Sequence, residues 1–173
     1  KLSYGASVAG AGSSVAFGVS SVDNFTGAKI VHERTGSNSV GDLSFWTRST
    51  AGGGSDWDLT VERMRITGTG NVGIGTDSPQ SLLHLQKTTT GGVGPVLFLD
   101  NAAASTLNNS SDIAFATWSA ESASAPGAKI SVINTSAGTG ANAFAFYNKN
   151  TSGVVSEKMR ISSTGATKLN SYG

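Results

Sequence analysis

Three groups of residues have types and spacings that could do chemistry. Asp56-Trp57-Asp58 sets an indole between two carboxylates, the outline of a sugar platform flanked by acids. The plainer reading is a turn, because Asp favours turn positions and Trp57 can cover the edge of a core. Gly68-Thr69-Gly70-Asn71-Val72-Gly73 matches G-x-G-x-x-G. A dinucleotide site needs a helix to follow, with its N-terminus on the pyrophosphate. Val72-Gly73-Ile74-Gly75-Thr76-Asp77-Ser78-Pro79 cannot open one in that register. His32 and His84 are the two histidines, each alone in a strand-like string, whereas a metal centre needs three or four converging ligands. Serine and aspartate are plentiful, but no Gly-x-Ser-x-Gly elbow presents a nucleophile. The expectation is no catalytic residue, no cofactor and no metal, hence no enzyme.

A fourth group is charged. Glu62, Arg63 and Arg65 recur as Glu157, Lys158 and Arg160. Either these charges pair across neighbouring strands or subunits and hold register, or they form a solvated face whose pairs contribute about 0–1 kcal/mol each. The element carrying them is a strand. In Glu62-Arg63-Met64-Arg65-Ile66 apolar and polar residues alternate, so Met64 and Ile66 share one face and Arg63 and Arg65 the other, outward one. Met159 and Ile161 keep the same phase.

The strand belongs to an internal repeat, which decides the architecture before any single motif does. Val15-Ala16-Phe17-Gly18 matches Ile113-Ala114-Phe115-Ala116, and Gly27-Ala28-Lys29-Ile30 recurs at 127–130. Leu43 to Arg48 matches Phe144 to Lys149, and Glu62 to Ile66 matches Glu157 to Ile161. The offsets drift by a few residues, and the drift falls in loops. Each block reads as a strand, separated from the next by clusters such as Ala51-Gly52-Gly53-Gly54-Ser55-Asp56 and Ala137-Gly138-Thr139-Gly140. Leu82–Gln86 and Val96–Asp100 read as opening strands of the second copy. Nothing longer than one turn has capped helical periodicity. The chain reads as all-β, two tandem β-rich modules of sandwich or three-sided prism type. Small residues such as Ser44, Ala114, Ala116 and Ala145 line one strand face, which suits close packing against a neighbouring subunit.

Charged residues are 13% of the 173, well below the usual quarter, and the net charge is +1 with no basic cluster. That argues against nucleic acid as a partner. There is no cysteine and no apolar run near the roughly 20 residues of a membrane helix, so no membrane insertion is expected. The chain begins with Lys1, as a segment of a longer or processed protein would. Its apolar strings are thin for a self-sufficient core, and thin cores often depend on oligomerisation.

After the strand come Gly68, Gly70, Gly73 and Gly75, with only Val72 and Ile74 apolar among them. Such spacing makes a poor lone strand. It suits a neck where several backbones crowd one axis, with Val72 and Ile74 meeting their symmetry mates. The string E-R-M-R-I-x-x-x-G-N-V-G-I-G-T-x-S-P over residues 62–79, followed by Leu82-Leu83-His84-Leu85, resembles the repeat of bacteriophage tail fibres and related virion fibres. In those chains the repeat often lies in the shaft, sometimes upstream of a self-cleaving chaperone domain, to which nothing here corresponds. Gly165-Ala166-Thr167-Lys168-Leu169 departs from the Gly-Val-Gly rhythm.

The resemblance implies an elongated homotrimeric fibre located in the virion, assembled in the bacterial host cytoplasm beside other virion tail or fibre proteins. Modules are expected over 1–67 and 81–173, with the neck at 68–80. Trimer packing is expected at Met64, Ile66, Val72, Ile74, Met159 and Ile161, with Gly70, Gly73 and Gly75 permitting close approach. The function expected is a structural segment of a tail fibre or tailspike shaft that supports host attachment. The alternative is a module binding host cell-surface glycan, through Trp57, Trp118 and Tyr147.

Overall fold

The computed structural model describes residues 2–3, 12–18, 26–50, 60–103, 106–118, 120–122 and 125–170. It is all-β. Two compact units divide between Val96 and Leu97, and among the described residues there is no helix, hence none that could cross a membrane.

The first unit is a seven-stranded sheet in chain order: β1 Leu2–Ser3, β2 Gly12–Phe17, β3 Ala28–Arg34, β4 Gly41–Arg48, β5 Thr60–Ile66, β6 Val72–Ile74 and β7 Leu83–Leu85. Every pair is antiparallel except β6–β7. The second unit is a five-stranded antiparallel meander: β8 Ser110–Phe115, β9 Ala128–Asn134, β10 Asn142–Lys149, β11 Val155–Ile161 and β12 Thr167–Leu169.

The registers of the two sheets correspond residue for residue. Ile30 lies opposite Phe45, which lies opposite Met64, as Ile130 does with Phe146 and Met159. Both β4–β5 and β10–β11 shift register at the same place, after Phe45 and after Phe146. The shift leaves Arg63 and Lys158 as the extra residue of a bulge, so strict alternation ends there. Arg63 therefore does not share the role of Arg65: its Nε donates to Thr47 Oγ1 at 3.0 Å. Lys158 Nζ likewise donates to Ser156 Oγ at 2.8 Å.

The tight turns also correspond. Gly70, at φ +94°, donates its amide to the Thr67 carbonyl, and the Thr67 hydroxyl accepts from the Asn71 amide. Gly165, at φ +85°, does the same with Ser162, whose hydroxyl accepts from Ala166. A left-handed residue is required at that position, and glycine adopts it without a Cβ penalty.

The middle of the glycine-rich segment, residues 72–74, is sheet. Residues 72–74 of the expected neck pair with β5, and residues 83–85, expected to open the second module, pair in parallel with β6. Gly73 and Gly75 make this short return feasible. A Cβ on Gly73 would stand 2.5 Å from the Thr76 carbonyl oxygen, and one on Gly75 would run into that of Gln86. The close approach is to the chain's own backbone. Val96–Asp100, read above as a strand, belongs to none.

Candidate functional site

Residues directly opposite in a ladder share a face, so the registers sort each sheet into two unlike surfaces. One surface of the first sheet is largely apolar, with Ser13, His32 and Thr47 as its polar members. It carries Val15 and Phe17, then Ile30, Leu43 and Phe45, then Met64 and Ile66, then Val72 and Ile74, then Leu83 and Leu85. The second sheet repeats it with Ile113 and Phe115, Ile130 and Val132, Phe144 and Phe146, Met159 and Ile161, and Leu169. Strand packing within each unit is between sheet neighbours, and this surface stays open. Phe17 is 52% exposed and Leu83 55%, with Val15, Leu43, Ile74, Ile113, Phe115 and Phe144 exposed as well.

The structure thus brings together Met64, Ile66, Val72 and Ile74 as two facing pairs, Met64 with Ile74 and Ile66 with Val72. Met159 and Ile161 take the same places against Phe146 and Phe144. Phe144 and Phe146 meet edge to face, centroids 5.3 Å apart. Of the glycines named with these residues, Gly70 serves a turn, and Gly73 and Gly75 serve the β6–β7 return.

The other surface is polar and ion-paired. Arg65 lies opposite Ser44 on β4, and its side chain is 11% exposed. It donates from Nε to Glu62 Oε1 at 2.8 Å, from Nη1 to Asp42 Oδ2 at 2.7 Å, and from Nη2 to Glu62 Oε2 at 2.6 Å and Glu33 Oε2 at 3.1 Å. Bonding to Glu62 and Asp42 raises the guanidinium pKa against the opposing effect of burial. So the recurring charges do pair across strands, within one chain. Lys29 Nζ stands 4.4 Å from the Trp46 ring centroid, and Trp46 Nε1 donates to Ser44 Oγ at 2.7 Å.

Ser44 and Ala145 are fully buried within the chain. Each lies beside one long side chain, Ser44 opposite Arg65 and Ala145 opposite Arg160, which fills the space over it. Packing against a second subunit is not needed to explain them.

A groove of about 890 Å³ runs along this polar face of the first sheet. Gly12 and Ser14 of β2 line one side, Trp46 and Glu62 the floor, and Asp77 and Gln86 the other side. The groove reaches from β2 to the chain beyond β6.

In the second unit Lys129 Nζ stands 4.7 Å from the Tyr147 ring centroid, and the Tyr147 hydroxyl donates to Glu157 Oε2 at 3.3 Å. Tyr147 is therefore a strand residue already engaged, and burial followed by the Glu157 charge raises its pKa. Arg160 donates to both Glu157 oxygens at 3.0 Å and holds that carboxyl below its usual range. Burial alone would raise the Asp112 pKa, but bonds from Lys129, Ser131 and Ser110 outweigh it and lower it.

Trp118 is exposed in the turn after β8. Trp57, Asp56 and Asp58 lie outside the described residues. His32 Nε2 pairs with the Ser39 carbonyl at 3.2 Å, and His84 Nδ1 accepts from the Gln80 amide at 3.4 Å. Among the described residues no three His, Asp or Glu side chains cluster as metal ligands do. The bare apolar face was legible in the sequence as period-two alternation. The carboxylate cluster was not, since Glu33 and Asp42 reach Arg65 only through the register of three strands. No protein-family model matches the chain, and no curated protein matches it.

Proposed function

We propose that this chain is a structural segment of a bacteriophage virion fibre, a tail-fibre or tailspike shaft that supports host attachment. In this reading two tandem modules assemble with two further copies into a homotrimer through their apolar faces. One observation carries it: a largely apolar face from Val15 to Leu83, on which Val15, Phe17, Leu43, Ile74 and Leu83 are exposed, lies on one side of the first sheet. Monomeric proteins rarely leave so large a contiguous apolar surface in water. Covering one fully exposed side chain of this kind is worth roughly 1.5–3 kcal/mol, which favours association against its entropic cost. The likeness of the 62–85 string to virion fibre repeats supports the virion location and the three-fold symmetry of this reading.

The mechanism is mechanical. Apolar faces packed against one another stiffen a shaft, while the ion-paired faces turn to solvent and keep it soluble. Light scattering after size exclusion tests this. A trimer weighs about 52.5 kDa, three times 17.5 kDa. A monomeric mass at micromolar concentration sinks the reading.

A second reading, contact with host cell-surface glycan, is favoured by the groove lined by Glu62, Asp77 and Gln86. Carboxylates and amides suit sugar hydroxyls, and three copies would add avidity. A glycan array on which the assembled segment binds nothing removes it.

A further inference from the structure

The first sheet departs from the repeat at three places, and all three adjoin the groove on its polar face. Glu33 and Asp42 stand where the second sheet has Ile133 and Ala143. Gly73 lies opposite Arg65 where Lys168 lies opposite Arg160, so β6 sets no side chain beside that guanidinium. The chain then returns as β7, and this return carries Asp77 and Gln86 to the groove. Among the described residues the second sheet ends at β12, with no such return. A groove that followed from the shared backbone would be built from residues common to both modules. This one is built from residues that the first module alone has.

At about 890 Å³ the groove has the size of a ligand site. What it can hold is set by what its walls leave to a ligand. Lys29 Nζ stands over the Trp46 ring, so that face of the indole is taken. All three nitrogens of Arg65 already donate to carboxylates of the same chain, those of Glu62, Asp42 and Glu33. Both cations that line the groove are thus engaged by the protein itself.

The acceptors are more open. The Glu33 side chain is 39% exposed, and Asp77 and Gln86 are exposed. Glu33, Glu62 and Asp77 also outnumber Lys29 and Arg65 along the walls. An ionised carboxylate only accepts hydrogen bonds. The walls therefore suit a ligand that brings hydroxyl or amino hydrogens. They oppose a ligand that brings its own carboxylate, sulfate or phosphate, since like charges set against each other cost binding energy.

We propose that this groove selects saccharides rich in hydroxyl or amino groups and rejects acidic ones, and that the selection belongs to the first module alone. This rests on the second reading above, contact with host glycan. It agrees with the proposed assembly, in which the ion-paired faces turn to solvent and leave the groove open.

The test is a glycan array carrying neutral, amine-bearing and acidic saccharides, probed with the full chain and then with Asp77→Ala and Gln86→Ala. Neither substitution touches the Arg65 cluster, and an unchanged solution mass and circular dichroism shows that each variant folds. Glu157→Gln, on the second sheet, is the control. Binding to neutral or amine-bearing saccharides and not to acidic ones is expected. It should weaken about tenfold in Asp77→Ala and about threefold in Gln86→Ala, and stay unchanged in Glu157→Gln. Binding confined to acidic saccharides overturns the selectivity and leaves the glycan reading standing. Binding that neither Asp77→Ala nor Gln86→Ala weakens overturns the groove as the site and also leaves that reading standing. No binding to any saccharide overturns both.

Discussion

The two sheets share a register, a bulge and a turn, yet they treat the same arginine position differently. In the first, Arg65 is held by Glu33, Asp42 and Glu62. In the second, Arg160 has Glu157 as its ion-pair partner, and the positions matching Glu33 and Asp42 are Ile133 and Ala143, both buried. The same backbone supports a carboxylate cluster or a small apolar patch, depending on two side chains. The lesson is that the ladder sets which residues meet and the side chains set what the meeting does. The edges differ in the same manner. β6 carries Gly73 and is followed by Gly75, so β7 can return alongside it. The matching positions on and after β12 are Lys168 and Asn170. Asn170 Nδ2 is used instead on the Glu157 carbonyl, at 2.9 Å.

The comparison can be broken most forcefully on the shared apolar face. Phe45→Glu and Phe146→Glu are each expected to abolish assembly, seen as a fall in solution mass to about one chain. If only one does so, the two faces are not one assembly surface. Next comes the return strand. Gly75→Ala places a Cβ against Gln86 at φ +77°. Strain of about 1–3 kcal/mol from the backbone, plus the clash, should release β7. Hydrogen exchange would then show Gln86 and Leu82–Leu85 unprotected, while Asn170→Ala leaves the first sheet's protection intact.

The arginines separate the sheets more finely. Arg65→Ala leaves three carboxylates without their shared cation and should cost about 3 kcal/mol in urea unfolding. Arg160→Ala removes one more exposed pair and should cost about 1 kcal/mol or less. Equal losses would mean that the extra carboxylates add nothing. The smallest effect is in acid. Asp112 and Glu157 have depressed folded values, so their contribution is present above the ordinary carboxylate range and is lost as pH falls below about 4. Glu157→Gln should therefore flatten the acid limb of stability against pH; an unchanged limb argues against a linked pair.

How much of this was legible before folding depends on the range of the interaction. The all-β class, the repeat and the shared faces of Met64 with Ile66 and of Met159 with Ile161 follow from period-two alternation, a local property of consecutive side chains, but the outward position expected for Arg65 does not hold, since its side chain is 11% exposed. The turn at Gly70 is local too. Alternation ceases to be a guide at the bulge, because one extra residue moves Arg63 off the face that Arg65 keeps. Glu33 and Asp42 carry no local sign of their partner. They reach Arg65 only once β3, β4 and β5 are in register. The same holds for Ser44 and Ala145, whose smallness suggested a neighbouring subunit and is explained by the long side chains beside them.

By itself, then, the sequence determined that strands form, where they turn and which side chains share a face, because sterics and hydropathy act over neighbouring residues. Tertiary structure alone decided that the glycine-rich stretch is a strand with a parallel return, since Gly73 and Gly75 matter only against the carbonyls of Thr76 and Gln86. It also decided which carboxylates surround Arg65. These are matters of distance between segments far apart in the chain, and no local pattern encodes them.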